Sequence, residues 1–183
     1  MPGYILTGAP GSGKTAVLRQ LELNGHGVVE EAATDVIALQ QALGQPEPWR
    51  TPDFIDQVVA LQRRRQLAAS GTTTFFDRSP VCTLALCRHL ALTASRGLLG
   101  EIERTVAGRA YERTVFFVRN QGFVQPTAAR RISFEDSLAF ERIHEQTYIE
   151  YGFELVEVPA APLPARVATV EQTIARLSGR RLP

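Results

Sequence analysis

The first fifteen residues constrain the fold of this chain more than any other stretch. Residues 4–7 (YILT) are apolar or β-branched and predict a short buried strand. The next eight residues match G-x-x-x-x-G-K-[ST] at every fixed position. They are Gly8, Ala9, Pro10, Gly11, Ser12, Gly13, Lys14 and Thr15. Residues 16–21 follow with helical spacing, so the motif has the strand-to-helix context of a phosphate-binding P-loop.

The residue types in this loop suit a phosphate chain. Glycines allow backbone conformations that a Cβ would forbid, so that successive N–H groups can face phosphate oxygens. The positive N-terminal end of the following helix faces the same anion. The pattern predicts that Lys14 contacts the β- and γ-phosphates and that the Thr15 hydroxyl binds Mg²⁺.

Lys14 is also the only lysine in the chain, since 19 of the 20 basic residues are arginines. Codon bias is enough to explain a general preference for arginine, but it does not explain where the exception falls. A compact ammonium differs from a planar guanidinium in reach and bonding geometry. The sequence therefore indicates that position 14 requires lysine.

Length and composition are typical of one globular domain. The chain has 183 residues, of which 44% are hydrophobic, and this predicts a single domain over residues 1–183. A net charge of +1 lacks the concentrated positive charge that nucleic acids or membrane surfaces attract. Neither is a predicted partner, and no apolar run approaches the ~18 residues that span a bilayer.

The cysteine and histidine residues do not predict a metal site. Cys82 and Cys87 form no C-x-x-C pair, and we interpret them as buried thiols in a reducing, cytoplasmic compartment. His26, His89 and His144 lack metal-ligand spacing, and we expect them in a turn, on a helix face or at the surface.

Apolar periodicity predicts five strands that alternate with helices. The predicted strands are 4–7, 28–31, 72–76, 114–118 and 153–158, and the main later helices are 32–43, 53–69, 81–93, 100–110, 133–150 and 165–177. This alternation predicts a three-layer α/β/α sandwich with a five-stranded, mainly parallel sheet. Ligands of such folds lie beyond the carboxyl ends of the strands.

Acidic and arginine residues follow the predicted strands: Glu30 and Glu31 the second, Asp77 and Arg78 the third, and Arg119 the fourth. Asp77 is predicted as a magnesium ligand, because a metal beside a P-loop needs an acid on a neighbouring strand. The alternative is that Asp77 caps the next helix. Glu31, favoured over Glu30, is predicted to accept the proton of an attacking hydroxyl, with Asp77 as the other candidate for this role. The alternative for Glu31 is a helix N-terminal role.

Four stretches together resemble the AAA_28 family, whose members are small single-domain P-loop proteins described as ATPases or kinases. The stretches are VVEEAA at 28–33, FFDRS at 75–79, RRISFE at 130–135 and YIEYGFELVEVP at 148–159. The resemblance covers most of the chain. Many family members carry an Arg three residues after the acid of the second strand, where this chain has Thr34.

The first two stretches are also similar to deoxynucleoside kinases, and thymidylate kinases share the Asp-Arg pair. This resemblance implies that Glu31 is the general base and that Asp77, Arg78 and Ser79 serve the metal and the transition state.

Kinases of this kind also carry an arginine-bearing lid after the fourth strand. The resemblance implies a lid at 119–133, in which Arg119 binds the nucleotide and Arg130, with Arg131 beside it, neutralises charge on the transferring group.

We therefore predict transfer of a phosphoryl group from Mg-ATP to a small-molecule acceptor that is nucleoside- or nucleotide-like or another hydroxyl compound. Trp49 and Phe54 would lie near that acceptor or pack in the core. A GTP-specific switch is disfavoured, because the sequence after the fourth strand is RNQG at 119–122 rather than N-K-x-D. The alternatives are an ATPase or NTP-dependent switch that acts on a protein partner, and nucleotide binding with a structural or regulatory role only.

Overall fold

A computed structural model describes residues 3–70, 73–122 and 133–179 of the protein. Its strands are β1 (Gly3–Thr7), β2 (Gly27–Val29), β3 (Thr74–Asp77), β4 (Thr114–Val118) and β5 (Glu154–Val158). Its α-helices are α1 (Lys14–Leu23), α2 (Ala32–Ala42), α3 (Phe54–Ala68), α4 (Pro80–His89), α5 (Arg96–Ala107), α6 (Phe134–Glu150) and α7 (Leu163–Gly179). A 3₁₀ helix, Pro48–Arg50, precedes α3.

The five strands form one sheet in the order β2-β3-β1-β4-β5, and each of the four pairings is parallel. The central strand is β1, which the P-loop follows. Leu6 on β1 lies opposite Asp77 on β3, so the end of β3 is adjacent to the start of the loop. The predicted α/β fold is confirmed, and the sheet is parallel throughout.

Helices cover both faces of the sheet because side chains alternate along each strand. On one face Tyr4, Leu6 and Phe75 pack with residues of α1 and α7. On the other face Ile5 and Phe76 pack with residues of α3, α4, α5 and α6. This is the predicted three-layer arrangement. Within the described ranges, no helix has both the length and the apolar character needed to traverse a bilayer.

The largest differences from the predicted helix boundaries are at the start of α5 and the end of α4, and local backbone chemistry explains both. Helix α5 begins at Arg96 rather than 100, because the Ser95 hydroxyl accepts a hydrogen bond from the Leu98 N–H at 3.0 Å and caps the helix. Helix α4 ends at His89 rather than 93, and Ala91 then takes a left-handed conformation with φ of 52°.

Candidate active site

The P-loop backbone has the shape that its sequence predicts. Gly8, Gly11 and Gly13 have φ of 140°, 84° and 79°, which side-chain-bearing residues rarely adopt. A Cβ at Gly8 would stand 2.2 Å from the Val118 carbonyl oxygen on β4. Position 8 therefore needs glycine for its conformation and also for the close approach of β4 to the loop.

The side chain of Lys14 lies along the loop. It is 6% exposed, and its Nζ donates hydrogen bonds to the carbonyl oxygens of Gly8 and Ala9, each at 2.9 Å. Burial, with the nearby charge of Arg78, lowers the pKa of Lys14 to about 8. The ammonium is thus held beside the loop, in surroundings that favour the arrival of an anion.

Glu31 and Arg78 meet at the carboxyl edge of the sheet. The Arg78 Nε lies 2.5 Å from Glu31 Oε1, and the Thr34 hydroxyl donates to Glu31 Oε2 at 3.1 Å. Glu30 is instead paired with Arg19 on the protein surface. Although Glu31 is the N-cap residue of α2, its side chain makes no capping hydrogen bond. The two adjacent glutamates therefore have different surroundings: Glu31 contacts Arg78, and Glu30 lies at the surface.

Arg78 is held in an unusual backbone conformation, with φ of 74°. Its N–H donates to the Leu6 carbonyl oxygen at 3.1 Å, so the residue after β3 stays tied to β1. Burial acts to lower the pKa of Arg78, but the neighbouring Cys82, Glu31 and Asp77 raise it above its ordinary value. Left-handed non-glycine residues cluster at functional sites, where surrounding contacts maintain them.

Asp77 is the last residue of β3 and is 7% exposed. The N-cap of the following helix α4 is Ser79, so Asp77 does not occupy the capping position that was its alternative interpretation. The Ser79 hydroxyl is hydrogen-bonded to the hydroxyl of Tyr148 at 2.8 Å. Within the DRS stretch, Asp77 and Arg78 therefore belong to the site, whereas Ser79 packs in the core.

One cavity of about 710 Å³ joins these groups. Its wall includes Lys14, Thr15, Glu31, Asp77 and Arg78, five residues that the sequence predicts for the site. Much of the remaining wall is apolar and includes Ile37, Trp49, Phe54, Val58, Leu90 and Phe140. The cavity therefore has a charged end at the P-loop and a mainly apolar end beyond Glu31.

Arg119 lies apart from this group. Its guanidinium is within 3.2 Å of Glu141, 3.1 Å of Glu145 and 2.6 Å of Glu157. Hydrogen bonding, chiefly to Glu145, raises the pKa of Arg119 above its ordinary value. Arg119 is not among the described residues that line the cavity. The predicted lid residues Arg130 and Arg131 lie outside the described residues.

The family model of AAA_28, described as an AAA domain, matches residues 3–166. The chain belongs to this family. No curated protein matches the sequence. This AAA_28 domain therefore combines a P-loop sequence with the fold of a P-loop kinase or ATPase.

Solved structures with this fold include two of a deoxyadenosine kinase from M. mycoides. In one, dCMP and a flexible dCDP are bound as products; the TM-score is 0.59 at 14% identity, and the match covers 96% of this chain and 99% of that one. The other has dATP bound, with a TM-score of 0.58, 13% identity and coverage of 96% and 100%. At such low identity the similarity establishes the fold.

A buried cluster in this AAA_28 domain was missed by the sequence interpretation. His144 is fully buried, and its Nε2 lies 2.8 Å from the Cys82 sulfur, which also accepts a hydrogen bond from Arg78 Nη1 at 3.0 Å. The His144 Nδ1–H donates to the Phe140 carbonyl oxygen at 3.1 Å. Burial, then the charge of Arg78, lowers the pKa of His144 well below its usual value. The neutral imidazole thus contacts Cys82, and Cys82 in turn helps to fix the position of the Arg78 guanidinium.

Helical spacing offered a signal for this cluster. Phe140, His144 and Thr147 recur at intervals of four and three residues along α6, and all three are buried. His144 thus lies on the apolar face of α6 rather than at the surface. Cys82 and Cys87 are both buried free thiols, as the sequence predicts.

Arg166 is a second residue that the sequence interpretation missed. It lies on the first turns of α7, lines the cavity beside Gly13, and donates from Nη2 to the Ser12 carbonyl oxygen at 2.6 Å. It follows the fifth strand, at the edge of the sheet where ligands of this fold bind. That position was the signal that could have identified it.

The oxygen-bearing residues of the site fit a magnesium ion, which the family implies. The Thr15 hydroxyl and the Asp77 carboxylate line the same cavity, and both are ligands that a hard divalent cation prefers. The described part of the chain has no cluster of three or more His, Cys, Asp or Glu side chains that could hold a metal ion. A cation here would depend on phosphate oxygens and water as well.

Proposed function

We propose that this AAA_28 domain is a kinase that transfers the γ-phosphoryl group of Mg-ATP to a hydroxyl group of a small, nucleoside-like acceptor. The observation that carries the proposal is the Glu31–Arg78 pair, 2.5 Å apart in the wall of the cavity that also contains Lys14. A base and a phosphate-stabilising cation stand together next to a P-loop. The deoxyadenosine kinases with the same fold bind deoxynucleotides, which supports this class of ligand.

The P-loop is the proposed donor site. Its N–H groups and the N-terminus of α1 bind the phosphate chain, and the Lys14 ammonium moves from the Gly8 and Ala9 carbonyls to phosphate oxygens. Thr15 and Asp77 would hold Mg²⁺. When bound, this ion neutralises charge that develops on the β- and γ-oxygens.

Glu31 and Arg78 are the proposed catalytic pair. The Glu31 carboxylate accepts the proton of the attacking hydroxyl, and the Arg78 guanidinium offsets negative charge on the transferring group. A carboxylate in this position would repel an acceptor that arrived as a phosphate dianion. Among the acceptors that the sequence allows, the pair therefore favours a hydroxyl compound over a nucleotide.

The apolar end of the cavity would receive the rest of the acceptor. Trp49 is 37% exposed, whereas Phe54 is 5% exposed, so Trp49 has the freer ring face and Phe54 is mainly part of the wall. Aromatic and aliphatic walls suit a planar or apolar group with few charges. A nucleoside base has this character.

The proposal extends to the whole chain. One domain spans residues 1–183, and a lid at 119–133 supplies Arg119 to the nucleotide and Arg130 to the transferring group. For this role the Arg119 guanidinium must break at least some of its ion pairs with Glu141, Glu145 and Glu157. Two free buried cysteines are consistent with the proposed reducing, cytoplasmic location.

The test is a coupled assay of ADP release with nucleosides, nucleotides, vitamins and aminoglycoside-like compounds as acceptors. We expect a hydroxyl acceptor to raise the rate above the water background, and Glu31→Gln to lower that rate by about 10²–10⁴-fold without loss of Mg-ADP binding. Glu30→Gln is the matched control, because Glu30 is exposed and pairs with Arg19.

Two outcomes would contradict the proposal. If every acceptor gives the water rate while ATP is still hydrolysed, the protein is an ATPase or a switch that acts on a protein partner. If Glu31→Gln transfers phosphate as fast as Glu30→Gln, Glu31 is not the base.

A further inference from the structure

Arg166 is a buried cation that lies against the P-loop backbone. It is 5% exposed, and its Nη2 donates to the Ser12 carbonyl oxygen at 2.6 Å. A Cβ on Gly13 would stand 2.8 Å from Arg166 Nη1, so glycine at 13 leaves room for the guanidinium. Arg166 also lines the cavity along with Gly13 and Thr15. The guanidinium thus borders the space in which a phosphate chain would lie.

The positive charge of Arg166 has no carboxylate partner among the described residues, whereas Arg78 and Arg119 each have one or more. Its Nε is buried and makes no hydrogen bond to any described residue. Burial alone lowers the pKa of Arg166. A buried cation without an anion is unfavourable, and the cavity beside it gives an anionic ligand access to the guanidinium.

The order of the strands indicates which part of a nucleotide Arg166 would contact. Asp77 and Glu31 follow β3 and β2, on one side of β1, while α7 follows β5 on the other side. The phosphate to be transferred must lie toward Glu31. The phosphates that stay on the nucleoside therefore extend toward α7.

We propose that Arg166 binds the non-transferred phosphates of the donor nucleotide and is a determinant of its affinity. This inference rests on the nucleotide binding of the proposed function, but it does not depend on phosphoryl transfer. Arg166 would complement Lys14, which serves the transferred end of the chain. Ligand binding would also give the buried guanidinium an anionic partner, which none of the described residues supplies.

Titration calorimetry with Mg-ADP and Mg-ATP tests the proposal on the 183-residue wild-type protein, Arg166→Met and Arg166→Lys. Because charged hydrogen bonds are strong, Arg166→Met should weaken both ligands by about tenfold to hundredfold. Arg166→Lys keeps the charge but not the planar fork, so it should weaken them by about three- to tenfold. Arg176→Met is the matched control: Arg176 is on the same helix, and its guanidinium donates hydrogen bonds to the Gln172 carbonyl oxygen and the Thr173 hydroxyl, both within α7.

Equal affinity of Arg166→Met and the wild type for Mg-ADP would overturn the proposal, and so would a loss confined to Mg-ATP, which would assign Arg166 to the γ-phosphate. A purely structural role through the Ser12 carbonyl predicts a lower melting temperature without ligand and an unchanged increase with Mg-ADP, and this result would also refute it. If Arg166→Met does not fold, Arg166→Lys decides, and wild-type affinity in that variant refutes the proposal. If the wild type binds neither nucleotide, the proposed function itself fails.

Discussion

The side-chain amine of Lys14 is less easily protonated in the ligand-free protein than in water. Its pKa of about 8, against an ordinary 10.5, results first from burial and then from the charge of Arg78. Phosphate oxygens would oppose both effects on the pKa, because they place negative charge within contact distance of the ammonium. Binding of a nucleotide should therefore raise the pKa of Lys14 and take up a proton wherever the free ammonium is partly deprotonated.

We expect proton uptake when Mg-ADP binds at about pH 8.5, which lies above the pKa of Lys14 in the free protein and above that of a terminal phosphate. Calorimetric titrations in buffers of different ionisation enthalpy measure the number of protons exchanged. The uptake should be about three-quarters of a proton at this pH and fall to about a tenth near pH 7, where Lys14 is mostly protonated in both states. Binding at pH 8.5 without proton uptake would contradict the combination of a lowered pKa in the free protein and a phosphate contact that raises it.

Whether the sequence predicts a site residue depends on how far along the chain that residue lies from the groups it contacts. The P-loop residues were predictable because a local motif sets their backbone, and Glu31, Asp77 and Arg78 because each lies at or just after the end of a strand. Arg166 contacts a carbonyl 154 residues earlier, and His144 contacts a thiol 62 residues earlier. Local patterns can indicate a buried helix face for His144 and a strand-end position for Arg166, but the partner of each is set by the packing of distant elements.

The unit formed by β1, the P-loop and α1 depends on close packing against β4. Gly8 combines φ of 140° with a backbone oxygen of β4 only 2.2 Å from the position of a Cβ. Neither the conformation nor the contact can relax without moving β4, which pairs with β1 through Val115, Phe116 and Phe117. A change in the conformation of the loop at Gly8 would therefore also displace β4, next to the central strand of the sheet.

We expect Gly8→Ala to lower the free energy of unfolding by about 2–5 kcal/mol, from backbone strain and overpacking together, and to abolish Mg-ADP binding. Urea unfolding and calorimetric titration measure the two effects. Gly100→Ala is the control: Gly100 is inside α5 with no atom near its Cβ position, so alanine there should stabilise the protein by about 0.5–1 kcal/mol. Wild-type stability and affinity in Gly8→Ala would disprove this link between the loop and the sheet.

The elements of this fold differ in how well the sequence predicts them. Strand β4 (Thr114–Val118) has the predicted bounds, because five consecutive apolar or β-branched residues are bounded by polar ones. The predicted start of α5 was wrong because Gly97 and Gly100 weaken the helical pattern over its first turns, although Ser95 caps a helix there. Helix ends depend on single hydrogen bonds, so periodicity locates the body of a helix better than its termini.

The whole fold follows from alternation of strands and helices around one central motif. Because β1 is in the middle of a parallel sheet, its loop can be reached by side chains from both halves of the molecule: Asp77 from one side and Arg166 from the other. The two faces of the sheet carry separate apolar clusters, and successive residues of β1 belong to each in turn. The site therefore unites elements from the entire described chain.

This arrangement predicts that residues 1–183 unfold as one cooperative unit, which a nucleotide stabilises as a whole. Scanning calorimetry should show a single transition whose calorimetric and van't Hoff enthalpies agree. Mg-ADP at one hundred times its dissociation constant should add about 2.7 kcal/mol, which for a chain of this length corresponds to an increase of about 5–10 °C in the melting temperature. The whole transition should move, since the proposed site has residues from both halves of the sheet. Two transitions, of which the ligand shifts only one, would mean that part of the chain folds independently of the P-loop.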